Sequence, residues 1–131
     1  MSREVLTEAQ RAFFREPLPA VATTLRRDGS PHSTVVWIDE RDGDVLFNTT
    51  LERAKGRHLK RDPRVSVLLV DPADQYRWVA VSGTATLVAE GAAEHMETLW
   101  QRYTGRPGPT GRPGTWVTVR VRPERVSAYK V

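Results

Sequence analysis

Short apolar, β-prone stretches follow one another along most of the chain, and few of the connections between them are long enough for a parallel crossover. Ala20 to Arg26 runs into Asp28-Gly29-Ser30 and out again from about His32 to Asp39, a hairpin signal. Arg41-Asp42-Gly43-Asp44 makes a second tight turn into Val45 to Asn48, so three strands are expected as a meander. Val65 to Val70 is almost wholly β-branched or leucine and reads as a well-buried strand. Arg77 to Val88 is the longest candidate, and its interior Gly83 suggests a bulge or a close backbone approach. Thr115 to Val121 alternates well, Pro123 is expected to break it, and Val126 to Val131 is a final strand. Six or seven antiparallel strands define a mainly β chain, an antiparallel barrel with helices at its ends.

Three segments read as helical. Thr7-Glu8-Ala9-Gln10 is a capping box, with Ala9, Phe13 and Phe14 as the buried stripe and Pro17 and Pro19 as the stop. Glu90 to Tyr103 carries Ala92, Met96, Leu99, Trp100 and Tyr103 along one side. Gly105 to Gly114, with three Pro and four Gly, is expected to be a mobile surface loop. The third helix lies in the basic segment described next.

That segment runs from Thr49 to Arg64. Between Arg53 and Arg64 it holds six Lys or Arg and one acid, out of 20 bases and 16 acids in the chain, so it accounts for all of the net positive charge. Such a concentrated excess points to an anionic ligand. Thr49 reads as the helix cap, with Glu52 completing a capping box, and Leu51, Ala54 and Leu59 facing the core. Arg53 and Arg57 share another face, with Lys55 beside them. A phosphate at that end would meet free amides, threonine hydroxyls and guanidinium forks together. The competing reading is a solvated helix whose bases serve solubility.

Length and composition bound the rest. At 131 residues and 39% hydrophobic content, one domain over 1–131 is expected, with 1–17 as an N-terminal helical segment. No apolar run approaches the roughly 20 residues of a membrane span, and the N-terminus lacks a signal-peptide core. There is no cysteine, so no disulfide and no thiolate metal site. Cytoplasm is the default location. His32 in a turn, His58 in the basic helix and His95 on the outer part of its helix are too scattered for a metal site, and His95 carries no functional signal. A nucleic-acid partner is not expected, because the bases are not spread along a face with interleaved aromatics.

The order of these parts, with "RAKGRHLKRDPRVSVLLVD" and "YRWVAVSGTATL", resembles the flavin and deazaflavin oxidoreductases built on the split β-barrel of pyridoxamine 5′-phosphate oxidase. It is most similar to the small actinobacterial branch that uses the deazaflavin coenzyme F420. The resemblance runs from about Leu18 to Tyr129. It implies a homodimer of six-stranded antiparallel split barrels with coenzyme sites in the grooves between subunits. It implies that Arg53 and Lys55 hold the coenzyme phosphate, that Thr49 and Thr50 donate near the ribityl and phosphate groups, and that Ser33, Thr34, Val35, Val36 and Trp37 line the ring. Tyr76, Arg77 and Trp78 lie where the partner subunit would close the groove. Trp37 and Trp78 are candidates for ring stacking or for core packing, whereas Trp100 and Trp116 read as core or dimer interface.

The resemblance implies hydride transfer from the reduced deazaflavin to an unsaturated small-molecule acceptor such as a quinone, an enone or a tetrapyrrole. The coenzyme carries that chemistry, which fits the lack of a Ser/His/Asp set or paired carboxylates. Three alternatives remain beside it. One is an FMN-dependent oxidase or reductase, although the substrate-binding C-terminal segment of pyridoxamine phosphate oxidation is not seen after Trp116. Another is a non-catalytic coenzyme-, haem- or bilin-binding protein, and the third is a nucleic-acid binder using the basic helix.

Overall fold

The computed structural model describes residues 3–131. Its elements in chain order are α1 (Glu8–Phe13), β1 (Ala20–Leu25), β2 (Pro31–Val36), β3 (Asp39–Arg41), β4 (Asp44–Thr50), α2 (Ala54–Arg61), β5 (Arg64–Asp71), β6 (Asp74–Val88), α3 (Ala92–Thr104) and β7 (Trp116–Tyr129). The strands form one antiparallel sheet in the order β2-β1-β5-β6-β7-β4-β3.

That order forces a barrel. β2 and β3 occupy opposite edges of the sheet, yet only Trp37 and Ile38 connect them. Three Cα–Cα steps reach at most about 11 Å, so the two edges must lie side by side. The sheet therefore curls on itself with a seam between β2 and β3, where no strand pairing closes it. The split is local to this seam. Ile38 N–H donates to the Tyr103 hydroxyl at 3.0 Å, and that hydroxyl donates to the Leu18 carbonyl at 2.7 Å. The Trp37 ring stacks on Tyr103 at 5.2 Å and meets Trp100 edge-on at 5.1 Å.

The expected single strand from His32 to Asp39 is thus two strands, and the expected three-strand meander does not form: β1–β2 and β3–β4 are separate hairpins at opposite edges. The sheet has seven strands, within the six or seven read from the sequence and one more than the six-stranded barrel that the resemblance implies. Pro123 does not break β7. It pairs with Gly83 where the β6–β7 register shifts, so the ladder is already interrupted where Pro lacks its N–H. A Cβ on Gly83 would run into the Arg122 carbonyl, which is the close approach that the glycine signalled.

β1 and β5 alternate in burial and face water on one side, as half-buried antiparallel strands do. β4 is buried on nearly every residue because α3 covers its outer side. The core fills the barrel with Phe13, Phe14, Ile38, Phe47, Val67, Leu69, Val79, Val81 and Val119. α1 opens on the expected capping box, Gln10 N to Thr7 Oγ1 at 3.1 Å and Thr7 N to Gln10 Oε1 at 3.0 Å. Its stripe is corrected in one position: Ala9 is exposed, and Leu6 and Gln10 are buried instead.

Candidate functional site

The basic segment begins where β4 ends. The helix starts later than the sequence suggests. Its N-cap is Arg53, with no side chain capping it, and the expected Thr49–Glu52 capping box is absent. Each member has another partner or place. Thr49 is wholly buried in β4. Arg53 N–H is shared by the Thr50 carbonyl at 3.3 Å and the Thr50 hydroxyl at 3.2 Å. The Glu52 carboxylate accepts Thr115 N–H at 2.6 Å and ties this turn to the start of β7. Leu51 and Ala54 are half-buried, and Leu59 alone of the expected trio enters the core.

α2 packs across one end of the barrel against β1, β4 and β6. Gly56 makes this possible, because a Cβ there would strike the Thr50 carbonyl. The His58 ring nitrogen Nδ1 bonds the Thr24 hydroxyl at 2.8 Å, and Arg61 donates to the Leu25 carbonyl at 2.8 Å. Burial first, then the neighbouring charges of His32 and Arg61, hold the His58 pKa below its usual value.

The electrostatics at the leading end of α2 favour an anion. There is no acid in the first turn. Neither Arg53 nor Lys55 has a salt-bridge partner among the described residues. The Lys55 pKa is lowered by burial and then by the charge of Arg53, so the cation is held without a counterion. The Arg53 guanidinium lies 5.1 Å from the Trp116 ring centre. Thr49 Oγ1 is buried with no hydrogen-bond partner. Free helix amides, two cations and an orphaned hydroxyl match a phosphate group, and on these residues such a group fits.

The other expected site residues fall into two places. β2 is a sheet edge with unpaired backbone on one side. Ser33 and Val35 face outward on it, with Ser33 Oγ 2.8 Å from Thr23 Oγ1, while Thr34 and Val36 face inward opposite Ala22 and Ala20. Thr34 Oγ1 is another buried hydroxyl without a partner. β2 adjoins α2 through the His32 and His58 rings, 5.2 Å apart. His32 is thus a strand residue facing α2, not a turn residue. Trp37 is taken up by the α3 aromatics at the seam.

Tyr76, Arg77 and Trp78 lie elsewhere, at the far end of the β6–β7 ladder. Trp78 pairs with Tyr129, whereas Thr50 pairs with Trp116 at the other end of β7. Arg77 is committed there. It bonds Glu16 and Asp71 at 3.0 Å each and lies 4.3 Å from the Phe13 ring centre. One chain does not bring these three residues to Arg53.

Sequence reading missed two features. His95 is not on an outer helix face. It is buried, with Nε2 2.8 Å from Asp39 Oδ2 and Nδ1 2.9 Å from Asn48 Nδ2. Thr118 donates to Asn48 Oδ1 at 2.6 Å, so the Asn48 amide N–H points at His95 Nδ1 and the Nε2–H tautomer faces Asp39. Arg102 also binds Asp39, at 2.7 Å. Together these bonds hold the Asp39 pKa down to about 2 although burial opposes them. The second feature is the 105–114 segment, which folds onto Trp100 and Trp116 through Arg112 and reaches Thr50 and Glu52 through Gly114. No short motif announces either arrangement.

A curled antiparallel sheet split at one seam, with a basic helix across one end, defines a split-barrel protein of the flavin-binding type. The family described as pyridoxamine 5′-phosphate oxidase matches residues 6–130, and the chain belongs to that family. Its members are flavin-dependent oxidoreductases. Among curated relatives, the pyridoxine/pyridoxamine 5′-phosphate oxidase of Rubrobacter xylanophilus is 29% identical over 94% of this chain and 70% of its own. That of Bacteroides fragilis is 32% identical over 82% of this chain and 47% of its own. The chain thus spans only about half the length of several relatives. Among solved structures, an F420 reductase superposes with a TM-score of 0.82 at 27% identity, covering 93% of this chain and 98% of that one. Among the described residues no helix is long and apolar enough to cross a membrane.

Proposed function

We propose that this chain is an oxidoreductase using the deazaflavin coenzyme F420, passing a hydride to a conjugated small-molecule acceptor such as a quinone, an enone or a tetrapyrrole. The observation that carries the reading is the match to an F420 reductase along nearly the whole of both chains. When bound, the reduced coenzyme supplies the hydride, and the protein supplies position and electrostatics. Arg53, Lys55 and the first amides of α2 hold the phosphate, with Thr49 and Thr50 beside them. The free edge of β2 from Ser33 to Val36 offers backbone groups and small side chains to a flat ring.

The reading includes a homodimer. A register row of Val35, Val21, Leu68 and Ala80 runs across the outer face of β2, β1, β5 and β6. Val35 is 71% exposed and Leu68 39%. A second copy seated on this face would bury the row and bring Tyr76 and Trp78 from its own far end to the groove.

The test is a side-by-side titration of purified protein with F420 and with FMN. Tighter binding of F420 is expected, with Lys55→Ala weakening it by about 1.5–3 kcal/mol, the range for hydrogen bonds to charged groups. Wild-type affinity in Lys55→Ala would reject the site. Yellow protein carrying tightly held FMN would favour the FMN reading instead. Coenzyme binding without oxidation of reduced F420 by any acceptor in a panel would point to a non-catalytic binder.

A further inference from the structure

An open groove of about 620 Å³ lies between α3 and the 105–114 segment, beside Trp116. Pro107, Pro109 and the Trp116 ring give it a flat apolar wall, and Arg112, Glu94 and Glu97 supply its charges. Two donors there are buried without any acceptor, Arg112 Nη1 and Trp116 Nε1. A buried donor left unpaired is unfavourable, and a native structure that keeps two in the lining of one groove calls for a reason.

Neither donor is left over by accident of packing. The Arg112 guanidinium lies 5.6 Å from the Trp100 ring centre and 5.8 Å from that of Trp116, so the two rings fix it in place. Its nearest carboxylate, Glu97, stands 3.9 Å away and accepts the Gly108 N–H at 3.0 Å instead. Trp116 is held by its pairing with Thr50. What the pair lacks is an oxygen acceptor.

We infer that this groove is a ligand site for a flat apolar molecule bearing a neutral carbonyl, whose oxygen takes the Trp116 Nε1–H and an Arg112 Nη1–H under the 105–114 segment. Charge decides between a ketone and a carboxylate. The lining sets Glu94 and Glu97 against Arg112, so the groove has no net pull on an anion. The segment must yield slightly to admit a ligand. Gly105, Gly111 and Gly114, all at positive φ, give it pivots. The site is independent of the coenzyme reading, because its two donors and its lining residues are not those assigned to the coenzyme.

The probes are 2-acetylnaphthalene, 2-ethylnaphthalene and 2-naphthoate, each titrated into the coenzyme-free protein. The indole N–H resonance of Trp116, assigned through Trp116→Phe, reports occupancy by nuclear magnetic resonance. The ketone is expected to shift that resonance and to bind about tenfold or more tightly than the hydrocarbon. Arg112→Met and Trp116→Phe, followed by calorimetry, should each weaken the ketone about tenfold and leave the hydrocarbon unchanged. Thermal melts of both variants separate this from misfolding, and Trp116→Phe keeps an aromatic ring in place. The proposal is overturned if the ketone leaves the Trp116 indole unmoved, if ketone and hydrocarbon bind equally, or if naphthoate binds more tightly than the ketone. Failure of F420 to bind alters none of these readouts.

Discussion

Replacing Asp39 with alanine should destabilise the fold by about 3–4 kcal/mol at neutral pH, and about 1 kcal/mol of that loss should disappear by pH 3. The carboxylate accepts from three donors. His95 Nε2 lies at 2.8 Å, Arg102 Nη1 at 2.7 Å and Glu40 N at 2.8 Å, and the side chain is 10% exposed. Holding the pKa at about 2 against an ordinary 3.8 is worth about 2 kcal/mol of ionisation linkage. Leaving the His95 Nε2–H without an acceptor at 6% exposure adds about 1–2 kcal/mol. Arg102, at 27% exposure, can turn to water and adds little. The sign follows from the depressed pKa. The stabilisation is complete above the unfolded value near 3.8 and is lost as pH falls through about 2. By the same linkage about 1 kcal/mol of it should remain at pH 3. Urea melts of wild type and Asp39→Ala at pH 7 and pH 3 measure both quantities, and Asp39→Asn gives the uncharged isostere. A difference below about 1 kcal/mol at pH 7, or one that does not shrink at pH 3, would refute the reasoning.

The lowered Lys55 pKa predicts that affinity for inorganic phosphate falls with rising pH before an ordinary lysine would discharge at 10.5, and that Lys55→Met removes this dependence; identical profiles for the two proteins would discount Lys55 as a ligand. Gly83→Ala drives a Cβ into the Arg122 carbonyl and should cost about 2 kcal/mol, read by chemical denaturation; a neutral change would mean that the bulge relaxes freely. Leu68→Glu places a charge in the outer apolar row and should convert a dimer to a monomer by light scattering, whereas an unchanged mass would move the interface elsewhere. Gly56→Ala should both destabilise α2 and weaken coenzyme binding, because the helix must retreat from the Thr50 carbonyl; binding that survives intact would detach the helix position from the site.

Features set by near neighbours were readable from the chain. The Thr7–Gln10 capping box, the β1–β2 hairpin around Asp28-Gly29-Ser30 and the break in register at Gly83 each depend on residues a few positions apart or on one special backbone position. Features set by distant partners were not. The division between β2 and β3 depends on Tyr103 receiving the Ile38 N–H from 65 residues away. Nothing between His32 and Asp39 announces it, since a run of Val-Val-Trp-Ile has equal β propensity throughout. Pro123 looked like a terminator because its tolerance depends on Gly83 in the neighbouring strand.

The basic segment was legible for a different reason: charge density is a property of sequence alone, and six bases in one short segment survive any error in placing the helix start. That error was real. Glu52 has the spacing of a capping box, but Thr115, 63 residues on, offers it an N–H. His95 was unreadable on similar grounds, because its value comes from Asp39 across 56 residues. The remaining gap is geometric. Thr50 and Trp78 stand near opposite ends of β7, a strand of 14 residues and about 40 Å. No side chain spans that length, so residues at the two ends can serve one ligand only if they come from two chains. The case for a shared groove is therefore the case for a dimer, and the Leu68→Glu and Lys55→Ala proteins should lose coenzyme affinity together or the two ends of the barrel do not belong to one site.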